Sequence, residues 1–206
     1  MMKRLFDVLA SSVALVFLSP ILVVIALAIK LESKGPVLFR QARVGKNRRL
    51  FTMYKFRKFP ITYDGCGPGV TLIDDYRLTR VGRLLERLKF DELPQFVNVL
   101  KGDMSLVGPR PETPNFVEHY SESDYRVLEV QPGIFGINQL LFRREAELYP
   151  EGVDPEEFYV SEIMPKKLAN DIEYIQRITF ASDLMLLLKC VWNVVFEPLN
   201  KMIARK

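Results

Sequence analysis

The residues best equipped for chemistry lie in one short stretch. Phe90-Asp91-Glu92-Leu93-Pro94-Gln95 runs through Asn98 to Gly102-Asp103, and Gly108-Pro109-Arg110-Pro111 follows. Asp91 and Glu92 are adjacent carboxylates that can share a divalent cation, and Arg110 offers a planar guanidinium of the kind that binds phosphate bidentately. A blander account competes with this one. Aspartate is a common helix cap and acids favour a first turn, so Asp91 could merely cap and Glu92 merely complement the helix dipole. On this stretch alone, capping is the simpler reading.

The elements around the stretch must hold it in place. Pro94 has no amide hydrogen and is tolerated only in a first turn, which predicts a helix beginning near Asp91 or Glu92. Gly102 is a natural stop. Helical spacing puts Leu93, Phe96, Val97 and Leu100 on an apolar face and Asp91, Gln95 and Asn98 on the other. Upstream, Val37-Leu38-Phe39 and Leu50 to Phe56 read as strands of a hairpin, joined by a basic loop from Gln41 to Arg49. Lys46, Arg48 and Arg49 suit a solvated or lipid-headgroup-facing edge. Lys55 and Arg57 lie two apart, on one face of a strand, and are better placed for a phosphate. Asp64-Gly65-Cys66-Gly67-Pro68-Gly69 is a surface loop without a phosphate-loop pattern. Asp74 to Lys89 predicts a basic amphipathic helix with Leu84, Leu85 and Leu88 on its apolar side and Arg80, Arg83 and Arg87 leading toward the acidic pair.

Beyond Pro111, a helix is expected from Glu112 to Val130, with His119 an ordinary surface or packing residue. Gln131 to Gly136 reads as a turn-rich loop, followed by Asn138, Gln139, Arg143 and Arg144. Glu145 to Pro165 carries little signal. Lys166 to Arg177 predicts a helix bearing Asp171 and Tyr174. Asp183 to Lys206 predicts another, in which Trp192 and the basic Lys201, Arg205 and Lys206 suit a membrane interface as well as a core.

Residues 13 to 29 contain no charge, with Lys3 and Arg4 before them and Lys30, Glu32 and Lys34 after. This is a membrane segment. A cleaved signal peptide is poorly served by Asp7 and the central Pro20. A spanning helix needs roughly 17 to 25 apolar residues, so the run is short but sufficient. In the third form, Ser19-Pro20 breaks the helix and both basic ends stay on one face, with Ser19 satisfying the carbonyl that Pro20 frees. Composition leaves the spanning and re-entrant forms both open.

The 206 residues suit one domain, and I see no internal repeat or dividing linker in them. The net charge of +4 with 49% hydrophobic residues favours anionic partners such as phosphates, nucleotides or acidic lipid. Two distant cysteines, Cys66 and Cys190, suggest neither a disulfide framework nor a zinc site, and a single histidine argues against serine or cysteine triads. The chemistry must run on carboxylates, lysines and arginines, with or without a metal.

The ordered motifs resemble the bacterial sugar transferase family, the monotopic phosphoglycosyl transferases, over almost the whole length. They are Lys3-Arg4-Leu-Phe-Asp7, Ser19-Pro20, Gln41-Ala-Arg43-Val-Gly45, Tyr54-Lys55-Phe56-Arg57, Asp91-Glu92-Leu-Pro-Gln95, Asn98 to Ser105, Gly108-Pro-Arg-Pro111, Pro132-Gly133, and Asp171 with Tyr174 and Asp183. The resemblance implies an α/β, mostly helical fold with a re-entrant N-terminal helix over residues 1–33, a small β-hairpin and interfacial amphipathic helices. Residues 34–206 would form the catalytic part on the cytoplasmic face of the bacterial inner membrane. It implies transfer of a phosphosugar from a UDP-sugar to polyprenol phosphate with Mg2+, releasing UMP. Asp91 would be the nucleophile and Glu92 its partner, both near the metal. Substrate contacts would come from Lys55, Arg57, Arg87, Pro109, Arg110, Pro111, Gln139, Arg143 and Asp171. Lipid is an expected partner, nucleic acid is not, and a homo-oligomer is compatible with the family.

The chain departs from the family pattern at four places. Gln131 stands for an arginine, Phe135 for a threonine, Lys89-Phe90 for a small polar residue and leucine, and Lys58-Phe59-Pro60 for Ser or Thr and Met. These departures motivate a competing reading as a catalytically silent membrane scaffold, against which the intact Asp91-Glu92 pair argues. A third reading, nucleic-acid binding, rests on charge alone and lacks any reader motif.

Overall fold

The computed structural model describes the backbone of residues 2–60 and 77–203, with side chains through Asn193. The loop expected at Asp64 to Gly69, the start of the helix expected from Asp74, and the side chains of Val194, Val195, Phe196, Lys201, Arg205 and Lys206 lie outside the described residues.

The described chain is mostly helical, with two small two-stranded sheets. Helix α1, Met2–Glu32, is long and apolar enough to cross a membrane and contains Pro20. Pro20 cannot donate to the carbonyl four residues back, that of Val16, and the Ser19 hydroxyl donates to it instead at 2.7 Å. Strands β1, Leu38–Val44, and β2, Leu50–Phe56, form an antiparallel hairpin in which Leu38 faces Phe56. The expected loop shortens accordingly: Gln41, Ala42 and Arg43 belong to β1. The turn is a 3-10 segment, Lys46–Arg48, in which Asn47 and Arg48 adopt left-handed backbone, and Gly45 N–H bonds the Arg49 carbonyl at 2.8 Å.

Helix α2, Arg80–Leu88, is capped by the Thr79 hydroxyl, which accepts from Gly82 N–H at 2.9 Å. The Glu32 carboxylate at the end of α1 accepts two further orphan amides, those of Arg80 and Val81. Leu85 is buried, but Leu84 is 55% exposed, so the apolar side of α2 is narrower than its sequence suggests. Helix α3 spans Gln95–Lys101. It starts later than the sequence predicts, because Asp91 and Glu92 sit in a separate 3-10 turn, Phe90–Glu92, and Pro94 caps α3.

The predicted face of α3 is also turned. Gln95, Asn98 and Val99 are buried while Val97 is exposed. The cause is the edge of β2, whose backbone groups need partners. Asn98 supplies them, accepting from Tyr54 N–H at 3.0 Å and donating to Thr52 O at 2.7 Å.

A second correction concerns residues 112–130, where one helix was expected. The chain forms only a short α4, Pro114–Val117, and a 3-10 segment, Asp124–Glu129. Between them the Asp124 carboxylate accepts from the Ser121 amide and hydroxyl, a local turn that competes with helix. The expected loop at 131–136 contains strand β4, Gly133–Phe135, which pairs in parallel with β3, Ser105–Val107. A Cβ on Gly133 would lie 2.1 Å from Gly108 N, so only glycine allows this approach. Helices α5, Ile137–Leu141, α6, Pro155–Phe158, α7, Met164–Gln176, and α8, Phe180–Ile203, complete the fold.

The core has three parts. One packs Tyr159, Ile163, Met164 and Leu168 under Phe116 and Tyr120. The second joins Met53, Val99, Met104 and Ile134 to Leu186 and Cys190 of α8. The third sets Ile25 and Ile29 of α1 against Phe56 and Leu85. Along α8, Leu184, Met185, Leu188 and Trp192 remain exposed.

Candidate active site

Lys89 closes α2 in left-handed backbone, φ 59°, its N–H bonding the last carbonyls of the helix. A lysine there is strained where glycine would be at ease, and the bend turns the chain sharply so that the next residues project Asp91 and Glu92 toward β2. Asp91 is only 3% exposed. Its carboxylate faces the Lys58 ammonium at 3.7 Å, and Lys58 is held on its other side by Glu86 at 3.3 Å.

Glu92 is bound far more tightly. Arg110 grips both of its oxygens, with Nη1 to Oε2 at 3.2 Å, and Lys55 Nζ lies 3.2 Å from Oε1. Burial by itself would raise the Glu92 carboxyl, but the Arg110 and Lys55 charges outweigh it and hold the group well below the usual carboxylate range. The same burial pushes the Lys55 ammonium down to about 8, with Glu92 opposing the shift.

Arg110 owes its position to the crossing of the β3–β4 sheet. Gly133 N–H bonds Pro109 O at 2.8 Å, and Arg43 Nη1 bonds Pro111 O at 2.9 Å, so both flanking prolines are anchored through their carbonyls. Arg43 in turn lies 3.5 Å from Glu112, which accepts the Tyr159 hydroxyl. Asp91, Glu92, Lys55, Lys58 and Arg110 thus bring together three cations and two carboxylates.

The other candidates sit differently. Arg57 is buried and donates to the Ser33 and Lys34 carbonyls at 3.0 and 2.9 Å, binding the exit of α1. Arg87 is exposed on α2. Gln139 donates to Ile134 O at 2.8 Å, and its Oε1 is buried without a partner. Arg143 Nη1 reaches Asn193 O at 2.6 Å on α8. Asp171, in α7, is buried, and its Oδ1 has no hydrogen-bond partner. Burial pushes its carboxyl up to about 7 against the pull of Asn138 and Lys167. Lys58 was not among the residues expected at the site, although it extends the basic Lys55-Phe56-Arg57 run and stands at one of the departures from the family pattern.

Among the described residues no three His, Cys, Asp or Glu side chains converge on a metal site. Glu92 is already engaged by Arg110 and Lys55, so Asp91 is the carboxylate with an oxygen to offer. That donor set fits Mg2+, which is usually held by one or two carboxylates with water and substrate phosphates completing its shell.

Comparison with known proteins places the molecule. A family model for bacterial sugar transferase matches residues 1–197, and the chain belongs to that family. It is similar to the UDP-N-acetylgalactosamine-undecaprenyl-phosphate N-acetylgalactosaminephosphotransferase of Aeromonas hydrophila, with 38% identity over 197 residues, 94% of this chain and 43% of that protein. It is also similar to the UDP-glucose:undecaprenyl-phosphate glucose-1-phosphate transferases of Caulobacter vibrioides and Escherichia coli. The first is 40% identical over 92% of this chain and 68% of that protein, the second 36% identical over 96% and 40%. The chain therefore spans less than half of the Aeromonas and Escherichia proteins and about two thirds of the Caulobacter one.

Proposed function

We propose that this protein is a phosphoglycosyl transferase that moves a sugar 1-phosphate from a UDP-sugar to polyprenol phosphate, releasing UMP. The observation that carries this reading is the unequal pairing of two adjacent carboxylates. Arg110 and Lys55 take up the charge of Glu92, while Asp91 keeps a carboxylate with one longer ion pair at 3.7 Å. The named activities of the relatives from Aeromonas, Caulobacter and Escherichia are of this type.

In the first step an Asp91 oxygen attacks the β-phosphorus of the donor. The bond from that phosphorus to the bridging oxygen breaks, and UMP leaves with the electron pair. An oxygen of polyprenol phosphate then attacks the same phosphorus and expels the Asp91 carboxylate. A covalent intermediate divides a transfer between two anions into two simpler displacements. Arg110, Lys55 and Lys58 offset the repulsion between Asp91 and the diphosphate. Asp91, with Glu92 beside it, would hold magnesium, which when bound neutralises charge on the diphosphate.

Membrane placement follows from the same body. The first turns of α1 bond through Lys3, Arg4 and Asp7 to residues 99–107, and its last turn packs through Ile29 against Phe56 and Leu85. A spanning helix separates its ends by roughly 30 Å of hydrocarbon. Two ends on one body support a re-entrant helix, and the basic residues at both ends, Lys3, Arg4, Lys30 and Lys34, support the cytoplasmic face of the inner membrane. Cysteines introduced at Met2 and Lys46 should react with an impermeant reagent from the same side; labelling from opposite sides makes α1 a spanning helix.

The direct test incubates the protein in lipid nanodiscs with UDP-sugars, Mg2+ and polyprenol phosphate. UMP should appear with at least one donor, and Asp91→Asn should lower its release at least ~1,000-fold. Persisting turnover in Asp91→Asn removes the nucleophile assignment. Nucleotide binding without turnover by the wild type favours the scaffold reading.

A further inference from the structure

We propose that Lys58 is a further catalytic residue, whose ammonium receives the nonbridging phosphoryl oxygens of the diphosphate as the donor reaches Asp91. The proposal rests on Asp91 being the nucleophile.

The lysine is fixed at both ends. At its backbone, Thr79 N–H bonds Lys58 O at 3.0 Å. Gly82, in the first turn of α2, lies so close that an added Cβ would sit 2.2 Å from that carbonyl oxygen. Glu86 is one helical turn beyond Gly82, and its carboxylate meets the Lys58 ammonium at 3.3 Å. The close approach that only glycine permits therefore sets the register between the lysine and its acidic holder. The Lys58 side chain is 14% exposed, and its ammonium also lies 5.9 Å from the centre of the Phe59 ring.

Its second partner is Asp91, at 3.7 Å. That separation is longer than a charge-assisted hydrogen bond, whereas the Lys55 and Arg110 contacts to Glu92 are hydrogen bonds. The two site lysines are thus divided in their work. Lys55 is committed to Glu92, while Lys58 is tethered from behind by Glu86 and only loosely paired in front. When a diphosphate enters, the ammonium can turn from Asp91 to a phosphoryl oxygen without leaving Glu86. This frees the carboxylate for attack and places positive charge where the phosphoryl group gathers electron density. No proton leaves the lysine in this exchange, and the covalent step is unchanged.

Two measurements on nanodisc-embedded protein test the proposal: UDP affinity by titration calorimetry in EDTA, and UMP release with Mg2+. Lys58→Met should weaken UDP binding about tenfold and lower kcat about 100-fold. Lys58→Arg should recover most of both, and Glu86→Gln should fall between them. Wild-type UDP affinity together with turnover within twofold in folded Lys58→Met overturns the proposal. Should Lys58→Met fail to fold, Glu86→Gln decides, and wild-type affinity and rate in that variant overturn it equally. If the wild type releases no UMP from any donor while Lys58→Met still loses UDP affinity, the transfer reaction is wrong and the diphosphate contact of Lys58 stands.

Discussion

Two acids largely withdrawn from water meet opposite fates in this molecule. Glu92 and Asp171 are both withdrawn from water, yet the first is held ionised far below the usual carboxylate range while the second is pushed up to about 7. Burial pushes both carboxyls up, and the supply of cations separates them. Glu92 receives the Arg110 fork and the Lys55 ammonium. Asp171 has Lys167 nearby, but that lysine is paired with Glu145 at 2.6 Å, and one Asp171 oxygen finds no partner at all. Three half-buried cations, Arg110, Lys55 and Lys58, gather around Asp91 and Glu92.

The largest test of this contrast removes each charge in turn. Glu92→Gln leaves Arg110 and Lys55 facing each other without their shared anion, and should cost about 3 kcal/mol in stability along with a roughly 100-fold loss of kcat. Asp171→Asn at pH 6 replaces an acid that is already mostly protonated, and should leave the denaturation midpoint close to that of the wild type. Equal losses in the two variants would break the comparison.

A smaller effect lies in the response to pH. Between about pH 4 and 7 the folded chain keeps a proton on Asp171 that the unfolded chain has lost, so wild-type stability should fall as pH rises through this window and level off above it. Urea midpoints in detergent at successive pH values should show the slope, and Asp171→Asn should lack it. On the other side of the contrast, Lys55 gives up its charge above about pH 8, so kcat/KM should decline there, and Lys55→Arg should move the decline to higher pH. A profile unchanged by Lys55→Arg separates that lysine from the reaction.

What the sequence reveals about these regions depends on how local the cause is. Gly102 ends α3 by backbone geometry alone and Ser19-Pro20 announces its own hydroxyl repair, so both were legible, whereas the start of α3 lies at Pro94 and not at Asp91 or Glu92. The family motifs pointed to the acidic pair and to Arg110. The buried face of α3 was not legible, because Asn98 turns inward to satisfy the edge of a strand more than forty residues earlier. Strands β3 and β4, at three residues each, are too short to show alternation. Lys58 meets Glu86 and Asp91 only after the hairpin docks on α2, and nothing in their spacing foretells that meeting. Arg57 read as a phosphate ligand by its neighbours in sequence, while its guanidinium is occupied with the carbonyls that end α1.

The polar start of α1 has a consequence for the order in which the molecule can be made. Asp7 accepts from Ser105 and Leu106, which follow it by 98 and 99 residues, and Lys3 bonds Val107 and Asp183, which follow by 104 and 180. The apolar helix leaves the ribosome long before any of these partners exists. Until then Asp7, which the fold buries, and Lys3 must keep their charges solvated. The last contact in that set, from Lys3 to Asp183, forms only when α8 has emerged, so the polar start of α1 is locked by an element 180 residues away.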